Sequence, residues 1–284
     1  MNSRFVRLVC LGLIALASAE TQSPSSDFDV QGHRGCRGLA PENTLPAFAK
    51  GIELGVTTLE LDMQVTLDGT FVVHHDKRLN PKLCVSADGG KVKREPLASL
   101  SYAEIANLDC GSRRLQQFPQ QTLAPGAHIP TLEEVLEMAA EAPYPVWLSI
   151  EIKQTAKELP LSLGDVVDQL VDLIDRHDLI ERTIIQSECG DVLAAIRQRA
   201  PQLERSLVIR WGSAQRWVED GTATIISRKY RFVRRGQVAK LQQQGVQVIP
   251  WTVNKPEKIR RLLEWGVDGV ITDYPDQALE LVRP

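Results

Sequence analysis

Two acidic residues, Glu60 and Asp62, stand two positions apart in an apolar and β-branched stretch of the chain. On a β-strand both carboxylates leave the same face, while Leu59 and Leu61 leave the other. Because like charges repel and burying either one alone is costly, a metal ion between them is the usual solution. The spacing therefore predicts two oxygen ligands of a metal site. The alternative is a solvated edge strand in an ordinary hairpin.

A pair of histidines follows this stretch after a tight turn. Asp68-Gly69 predicts the turn, and the next candidate strand, 71–76, ends in His74, His75 and Asp76. Neighbouring side chains on a strand point in opposite directions, so His74 should point away from His75. We select His75, whose imidazole can move protons at neutral pH.

A third carboxylate lies near the end of an otherwise apolar candidate strand, 146–152. Glu151 shares a strand face with Lys153, and a simple ion pair between the two is one interpretation. We prefer to group Glu151 with Glu60 and Asp62. Three carboxylates without a cysteine favour a hard cation, Ca²⁺ or Mg²⁺, over zinc.

Short motifs spread along the chain resemble, in their order and spacing, those of the glycerophosphodiester phosphodiesterase family. The resemblance covers nearly all of the chain after residue 28 and implies a PI-PLC-like phosphodiesterase TIM barrel. It also implies hydrolysis of a small-molecule glycerophosphodiester to sn-glycerol 3-phosphate and an alcohol. The motifs are His33-Arg34-Gly35, Glu42-Asn43-Thr44, Glu60-Leu61-Asp62, His75-Asp76, Glu151-Ile152-Lys153, Trp251-Thr252-Val253-Asn254 and Gly269-Val270-Ile271-Thr272-Asp273-Tyr274-Pro275.

Two histidines suit the proton transfers of such a reaction. An ordinary imidazole pKa lets one of them accept a proton while the other donates one, and we favour His33 as the base and His75 as the acid. The nucleophile is either water or the 2-hydroxyl of the glycerol, the second route passing through a cyclic phosphate. Nothing in the spacing decides between them.

The remaining candidate residues would hold the substrate. Arg34 and Lys153 are predicted to face the phosphate, and the fork of Arg34 suits two phosphoryl oxygens. Trp251 offers a flat wall for the glycerol, or is an ordinary core aromatic. Glu42 is predicted either to support these residues from behind or to be a further metal ligand.

Apolar β-branched runs alternate with helical patterns after residue 28, which predicts an α/β fold, a (β/α)₈ TIM barrel, over 29–284. The candidate polar residues fall at or near the carboxyl ends of the strands, the face on which such barrels build their active sites. Nine strands are one more than a barrel needs. The extra one is either 71–76 or 223–227 among the candidates 29–34, 57–62, 71–76, 146–152, 182–187, 206–211, 223–227, 247–253 and 269–272.

The connecting segments have readable signals. Thr44 is predicted to cap a helix that ends at Gly55, and Asn254 to cap one that ends at Gly266. Residues 77–130, after the third strand, interrupt the alternation with Gly, Pro, Gln and charged residues. We interpret them as an insertion over the mouth of the barrel rather than a passive surface excursion.

The first residues have the pattern of a signal peptide. Arg4 and Arg7 precede an apolar run at 8–17 that is too short to span a bilayer, and cleavage is predicted after Ala19. Residues 20–28 would be a flexible approach to the barrel. We expect export, to a periplasm or out of the cell, without a stable membrane anchor; an N-terminal anchor helix is the alternative.

Four cysteines would remain after cleavage, and in an exported protein they permit disulfides. Cys84 and Cys110 are the preferred pair, whereas Cys36 and Cys189 could form a disulfide or equally be buried thiols. The net charge of −3 gives no reason to expect a nucleic-acid partner.

Two other functions are compatible with a barrel of this kind. A phospholipase-type relative acting on lysophospholipids or sphingomyelin would need an apolar rim, and 77–130 supplies only Tyr102 and Phe118 as aromatics. A non-catalytic binding protein would have lost part of the motif set, yet every position is filled.

Overall fold

Strands and helices alternate along residues 28–283, the part of the chain that this computed structural model describes. Within it lie nine strands and nine α-helices. The strands are β1 (Asp29–Gly32), β2 (Thr58–Val65), β3 (Phe71–Val73), β4 (Trp147–Ile152), β5 (Thr183–Ser187), β6 (Glu204–Ile209), β7 (Ile225–Arg228), β8 (Gln247–Val248) and β9 (Gly269–Thr272). The helices are α1 (Leu45–Leu54), α2 (Tyr102–Ile105), α3 (Leu132–Ala140), α4 (Leu163–Arg176), α5 (Gly190–Arg199), α6 (Gln215–Glu219), α7 (Arg235–Gln242), α8 (Pro256–Glu264) and α9 (Pro275–Val282).

Eight of the strands form a parallel barrel. Their order is β8-β7-β6-β5-β4-β2-β1-β9. Backbone hydrogen bonds link the two ends of this row, from Asp268 N–H to the Val248 carbonyl at 3.0 Å and from Ile271 N–H to the Pro250 carbonyl at 2.9 Å. The predicted (β/α)₈ barrel is therefore confirmed.

The ninth strand is β3, which pairs antiparallel with β2. The turn between them contains Gly69, whose φ of 81° is a conformation that glycine adopts without a steric penalty. A turn this short leaves no room for a crossover helix, so β3 lies outside the barrel. The candidate strand 223–227 instead corresponds to the barrel strand β7. The candidate 71–76 ends at Val73, and His75 lies in the turn beyond it.

Strand β2 lies between β1 and β4, and all eight of its residues are buried. Leu59 and Leu61 belong to the main hydrophobic core. The solvated edge strand is therefore wrong, because this strand has barrel neighbours on both sides. A separate cluster beneath the site comprises Ile184, Ile225, Ile249 and Ile271, against which Trp147 and Trp251 pack.

One predicted helix is confirmed at both ends, and the predicted cap of another is wrong. Thr44 Oγ1 accepts a hydrogen bond from Ala47 N–H, and Gly55 ends α1 at a φ of 79°. The predicted cap at Asn254 is wrong, because α8 begins at Pro256 with Lys255 as its N-cap. The Asn254 side chain instead donates a hydrogen bond of 2.6 Å to Asp273, at the end of β9.

The insertion 77–130 packs around a small hydrophobic cluster of its own. The disulfide Cys84–Cys110 closes it, as predicted, and Cys36 and Cys189 are free thiols. Its later part contacts the loop after β1, where the Gln121 amide donates to the carbonyls of Arg37 and Ala40. The insertion therefore lies at the mouth of the barrel, as expected.

Within residues 28–283 there is no helix with the length and apolar character needed to cross a membrane. The predicted signal peptide, and all of 20–28 except Phe28, lie outside the described residues.

Candidate active site

Three carboxylates converge at the carboxyl end of the barrel. Glu60 and Asp62 lie on β2, and Glu151 on β4 stands directly opposite Asp62 in the parallel register. One oxygen from each residue lies within 4.8 Å of the others, and all three side chains are buried. The predicted grouping is therefore present, with only oxygen donors in it.

The electrostatics of this group fit a bound cation. Burial raises the pKa of Glu60, and the negative charges of Asp62 and Glu151 raise it further. Burial also raises the pKa of Glu151, against the opposing effect of Lys153. Asp62 is different: burial is outweighed by Arg34 and Lys153, which lower its pKa. Three buried carboxylates that repel one another in this way form a donor set suited to a hard divalent cation.

Lys153 Nζ lies 2.8 Å from Glu151 Oε1 and 3.6 Å from Asp62 Oδ1. The simple ion pair considered from the sequence is therefore formed. It leaves Glu151 within the carboxylate group, so the two interpretations are compatible.

Arg34 is held by two acids. Its Nη1 donates to Glu42 Oε1 at 2.6 Å, and its Nε lies 3.2 Å from Asp62 Oδ2. Glu42 also lies 3.5 Å from Arg37 Nη1 and is not a member of the carboxylate group. Of the two roles predicted for Glu42, its position matches support of Arg34 from behind.

The loop after β1 adopts unusual backbone conformations at the site. Arg34 and Asn43 have φ angles of 53° and 55°, in the left-handed region that non-glycine residues seldom occupy. This conformation directs the Arg34 N–H to Glu60 Oε2 at 2.8 Å, and the Asn43 amide donates to Asp62 Oδ2 at 2.8 Å. Backbone strain at these two residues thus goes together with hydrogen bonds to two of the three carboxylates.

His33 follows β1 and is oriented by a buried acid. Its Nδ1 lies 2.5 Å from Asp273 Oδ1, and Asp273 also accepts from Arg37 Nε at 2.7 Å and from Asn254 at 2.6 Å. Burial lowers the pKa of His33 to about 4, although Asp273 acts in the opposite direction. The imidazole is therefore neutral at pH 7, with Nδ1–H donated to Asp273 and Nε2 left as a proton acceptor.

His75 has a carboxylate partner as well but is more accessible. Its Nδ1 lies 2.8 Å from Asp76 Oδ1, and Asn80 donates to the other oxygen of Asp76 at 2.7 Å. The His75 side chain is 32% exposed, against 11% for His33. His74 is buried and does not line the cavity, in agreement with its omission from the candidates.

A cavity of about 230 Å³ brings eight of the nine candidate residues together. Glu42 is the exception and lines an adjoining groove. The eight residues are His33, Arg34, Glu60, Asp62, His75, Glu151, Lys153 and Trp251.

Several residues at the site were missed as candidates. Asp273, Asp76 and Asn43 each stand inside a quoted motif, so their place in the motifs was an available signal. Gln186 follows the same pattern as the candidates, a polar residue at the carboxyl end of a strand, but it was assigned no role. It lies on β5 and lines the cavity, and the structure adds that its Nε2 has no hydrogen-bond partner among residues 28–283.

Comparisons with known proteins agree with this geometry. Residues 33–277 match the family model of the glycerophosphoryl diester phosphodiesterase family. A glycerophosphodiester phosphodiesterase of Caldanaerobacter subterraneus is 32% identical over 253 residues, which are 88% of this chain and 96% of that protein.

Solved structures also resemble this chain. A protein of Silicibacter pomeroyi, proposed to be a glycerophosphoryl diester phosphodiesterase, has a TM-score of 0.85 and 31% identity over 91% of this chain and 94% of that one. An Oleispira antarctica phosphodiesterase, solved with sn-glycerol-3-phosphate, has a TM-score of 0.76 and 24% identity over 90% and 97% of the two chains. The chain therefore belongs to the glycerophosphoryl diester phosphodiesterase family, a family of phosphoric diester hydrolases.

Proposed function

We propose that this protein hydrolyses glycerophosphodiesters to sn-glycerol 3-phosphate and an alcohol, with the help of one divalent cation, Ca²⁺ or Mg²⁺. The observation that carries the proposal is the group of three buried carboxylates that lines one cavity with two carboxylate-oriented histidines. The product bound to the Oleispira antarctica phosphodiesterase is consistent with this substrate class.

Glu60, Asp62 and Glu151 would hold the cation. When bound, a divalent cation supplies positive charge that neutralises the phosphate and stabilises the charge that develops in the transition state. The oxygen-only donor set supports Ca²⁺ or Mg²⁺ over softer metals.

His33 would act as the general base. It is neutral at pH 7 because burial lowers its pKa, and its bond to Asp273 leaves Nε2 free to accept a proton. The proton comes from the attacking hydroxyl, which belongs either to water or to the glycerol 2-position. A cyclic phosphate, detected by ³¹P NMR during turnover, would distinguish the second route from the first.

His75 would act as the general acid. It lies at the more exposed side of the site, where Asp76 accepts a hydrogen bond from Nδ1 and orients the ring. Its Nε2–H would then protonate the departing alkoxide. The positions of the two imidazoles support this division of roles.

The phosphate and glycerol have their own contacts. Lys153 and Arg34 line the cavity as fixed positive charges, and the unpaired Nε2 of Gln186 is available to donate to a substrate oxygen. Trp251 lines the same cavity, with its ring held by a hydrogen bond from Nε1 to the Ser227 carbonyl at 2.9 Å. Its face would contact the carbon atoms of the glycerol.

Substrate comparison tests the proposal. Purified protein should release sn-glycerol 3-phosphate from glycerophosphocholine and glycerophosphoethanolamine and act poorly on lysophosphatidylcholine. The exposed large apolar side chains of residues 28–283 are Leu67 and Trp211, and neither lines the cavity. Faster hydrolysis of the lysolipid would favour the phospholipase-type function, and no hydrolysis with binding retained would favour a binding protein.

We also propose that the protein is exported after cleavage behind Ala19, to a periplasm or out of the cell. The disulfide Cys84–Cys110 supports an oxidising compartment. N-terminal sequencing of the protein recovered from cells should begin at Glu20. Recovery of Met1 on the mature protein would contradict cleavage.

A further inference from the structure

A wide groove of about 1120 Å³ adjoins the active-site cavity. Two segments of the insertion line it, residues 80–83 and 113–117, and we call it the insertion groove. Arg34, Arg37 and His75 line both the groove and the cavity. The two spaces therefore meet at the proposed general acid.

The insertion groove has an excess of unpaired positive charge. Lys82, Arg113 and Arg114 line it, and none of them takes part in an ion pair among residues 28–283. Arg113 and Arg114 donate instead to backbone carbonyls. The two carboxylates at the groove are already engaged, Glu42 by arginines and Asp76 by His75. The charge offered to a ligand is therefore positive.

The walls of the groove are linked to each other. The disulfide partner Cys84 directly follows the first wall segment, and Cys110 lies three positions before the second. Arg113 Nη1 crosses from one wall to the other and donates to the Pro81 carbonyl at 2.8 Å. A preorganised cationic surface of this kind loses little entropy when an anion binds.

A smaller cavity of about 280 Å³ adjoins His75 on another side, but its cations are neutralised. Lys77 lies 2.6 Å from Glu158, and Arg210 lies 3.5 Å from Glu188. Of the two spaces that adjoin His75 outside the cavity, within residues 28–283, the insertion groove is the one that offers unpaired positive charge to an anionic group.

We propose that the insertion groove binds the leaving alcohol and selects alcohols that carry a second anionic group, a phosphate or a carboxylate. This inference rests on the proposed function, since the alcohol protonated by His75 departs on the side where His75 meets the groove. Lys82, Arg113 and Arg114 are then specificity residues, remote from the reacting phosphorus. Asn80, Gln116 and Gln117, which also line the groove, suit a polar alcohol.

Two matched substrate pairs test the selection. Glycerophosphoserine differs from glycerophosphoethanolamine by one carboxylate. Glycerophosphoglycerol phosphorylated on its leaving glycerol differs from glycerophosphoglycerol by one phosphate. The protein should show roughly a thirty-fold higher kcat/KM for the anionic member of a pair, because Lys82, Arg113 and Arg114 would contribute roughly three-fold each. The preference should shrink as salt is raised, because these charges are screened.

Variants that each remove positive charge test which residues produce the preference for anionic alcohols. Arg114→Gln and Lys82→Gln should each lower the preference about three-fold, and Arg113→Gln with Arg114→Gln about ten-fold. The controls are Arg94→Gln and Lys93→Gln, which remove exposed charges of the same insertion outside the groove and should leave the preference unchanged. Because replacing Arg113 also removes its link to Pro81, the solvent-exposed Arg114 is the deciding position.

The outcomes separate this inference from the function on which it rests. Equal kcat/KM within both pairs, with all four substrates hydrolysed, overturns the groove and leaves the proposed function intact. Hydrolysis of none of them overturns both. An equal loss of preference in Arg94→Gln and Arg114→Gln indicates general surface attraction and also overturns the groove. A preference within one pair only supports the groove and identifies the anionic group.

Discussion

Replacing the two active-site histidines one at a time separates the base from the acid. His33→Ala removes a ring that is held by Asp273, and His75→Ala removes a ring held by Asp76. The carboxylate group, Arg34 and the rest of the cavity remain in either variant. We therefore expect kcat to fall far more than KM rises, because each imidazole acts mainly in the transition state.

The size of the effect follows from the surroundings of each ring. Loss of a general acid or base costs about 10²- to 10⁴-fold in rate. After His33→Ala, Asp273 keeps its hydrogen bonds to Arg37 and Asn254, so the buried carboxylate stays paired and the barrel should fold. His75 is partly exposed, and its removal should cost less stability. Circular dichroism and thermal unfolding of both variants check these expectations.

A substrate with a good leaving group provides the decisive assay. The p-nitrophenyl ester of glycerol 3-phosphate releases p-nitrophenolate, which departs without needing a proton. This substrate should therefore restore turnover to His75→Ala and not to His33→Ala. His128→Ala is the control, because His128 lies in the insertion, contacts Glu134 on α3 and does not line the cavity. Rescue of His33→Ala alone would reverse the two roles, and near-normal turnover of natural substrates by both variants would refute the reasoning.

Three further predictions concern stability and orientation. Burial raises the pKa of Asp29 to about 6, so the free energy of unfolding should fall as pH rises from about 4 to 6 and the carboxyl ionises. Asp29→Asn should raise the free energy of unfolding at pH 7 by on the order of 2 kcal/mol in urea titrations. A variant less stable than the parent protein would contradict this. Reduction of Cys84–Cys110, 26 residues apart, should cost about 3.5 kcal/mol of stability. A thiol titration of unfolded, unreduced, leader-free protein should find two thiols, and four would exclude the disulfide. Asp273→Asn should lower kcat about 10²-fold or more with little change in KM, because an amide at this position cannot fix the His33 tautomer as the carboxylate does. An unchanged kcat would show that catalysis does not need this orientation of His33.

Much of the site was predictable because a barrel collects the carboxyl ends of its strands on one face. Predicting Glu60 and Asp62 as a pair required only the two-residue period of a strand. Predicting that Glu151 joins them required only that it lie at the end of another barrel strand. The direct opposition of Asp62 and Glu151 follows from strand register, which short apolar runs do not specify.

Contacts between distant loops were not predictable in the same way. Asn254 has the residue type of a helix cap, but its amide binds Asp273 across the end of the barrel, a tertiary contact that overrides the local preference. The left-handed backbone at Arg34 and Asn43 brings hydrogen bonds to the carboxylates. Asparagine is enriched in this conformation, but arginine is not, so the residue type gives no sign of it at Arg34. The insertion groove is formed by irregular segments without hydrophobic periodicity. The sequence therefore shows that these segments carry positive charge, but it does not predict that they form a groove.

Calorimetric titration of metal-free protein with Ca²⁺ and with Mg²⁺, with hydrolysis of glycerophosphocholine followed in parallel, tests the central claim most directly. One cation should bind per chain, and activity should rise with its occupancy. Asp62→Asn and Glu151→Gln should weaken binding and lower activity together, whereas Glu137→Gln, on the exposed side of α3, should change neither. Full activity in excess EDTA, or cation binding that survives both substitutions at the site, would contradict a metal centre formed by Glu60, Asp62 and Glu151.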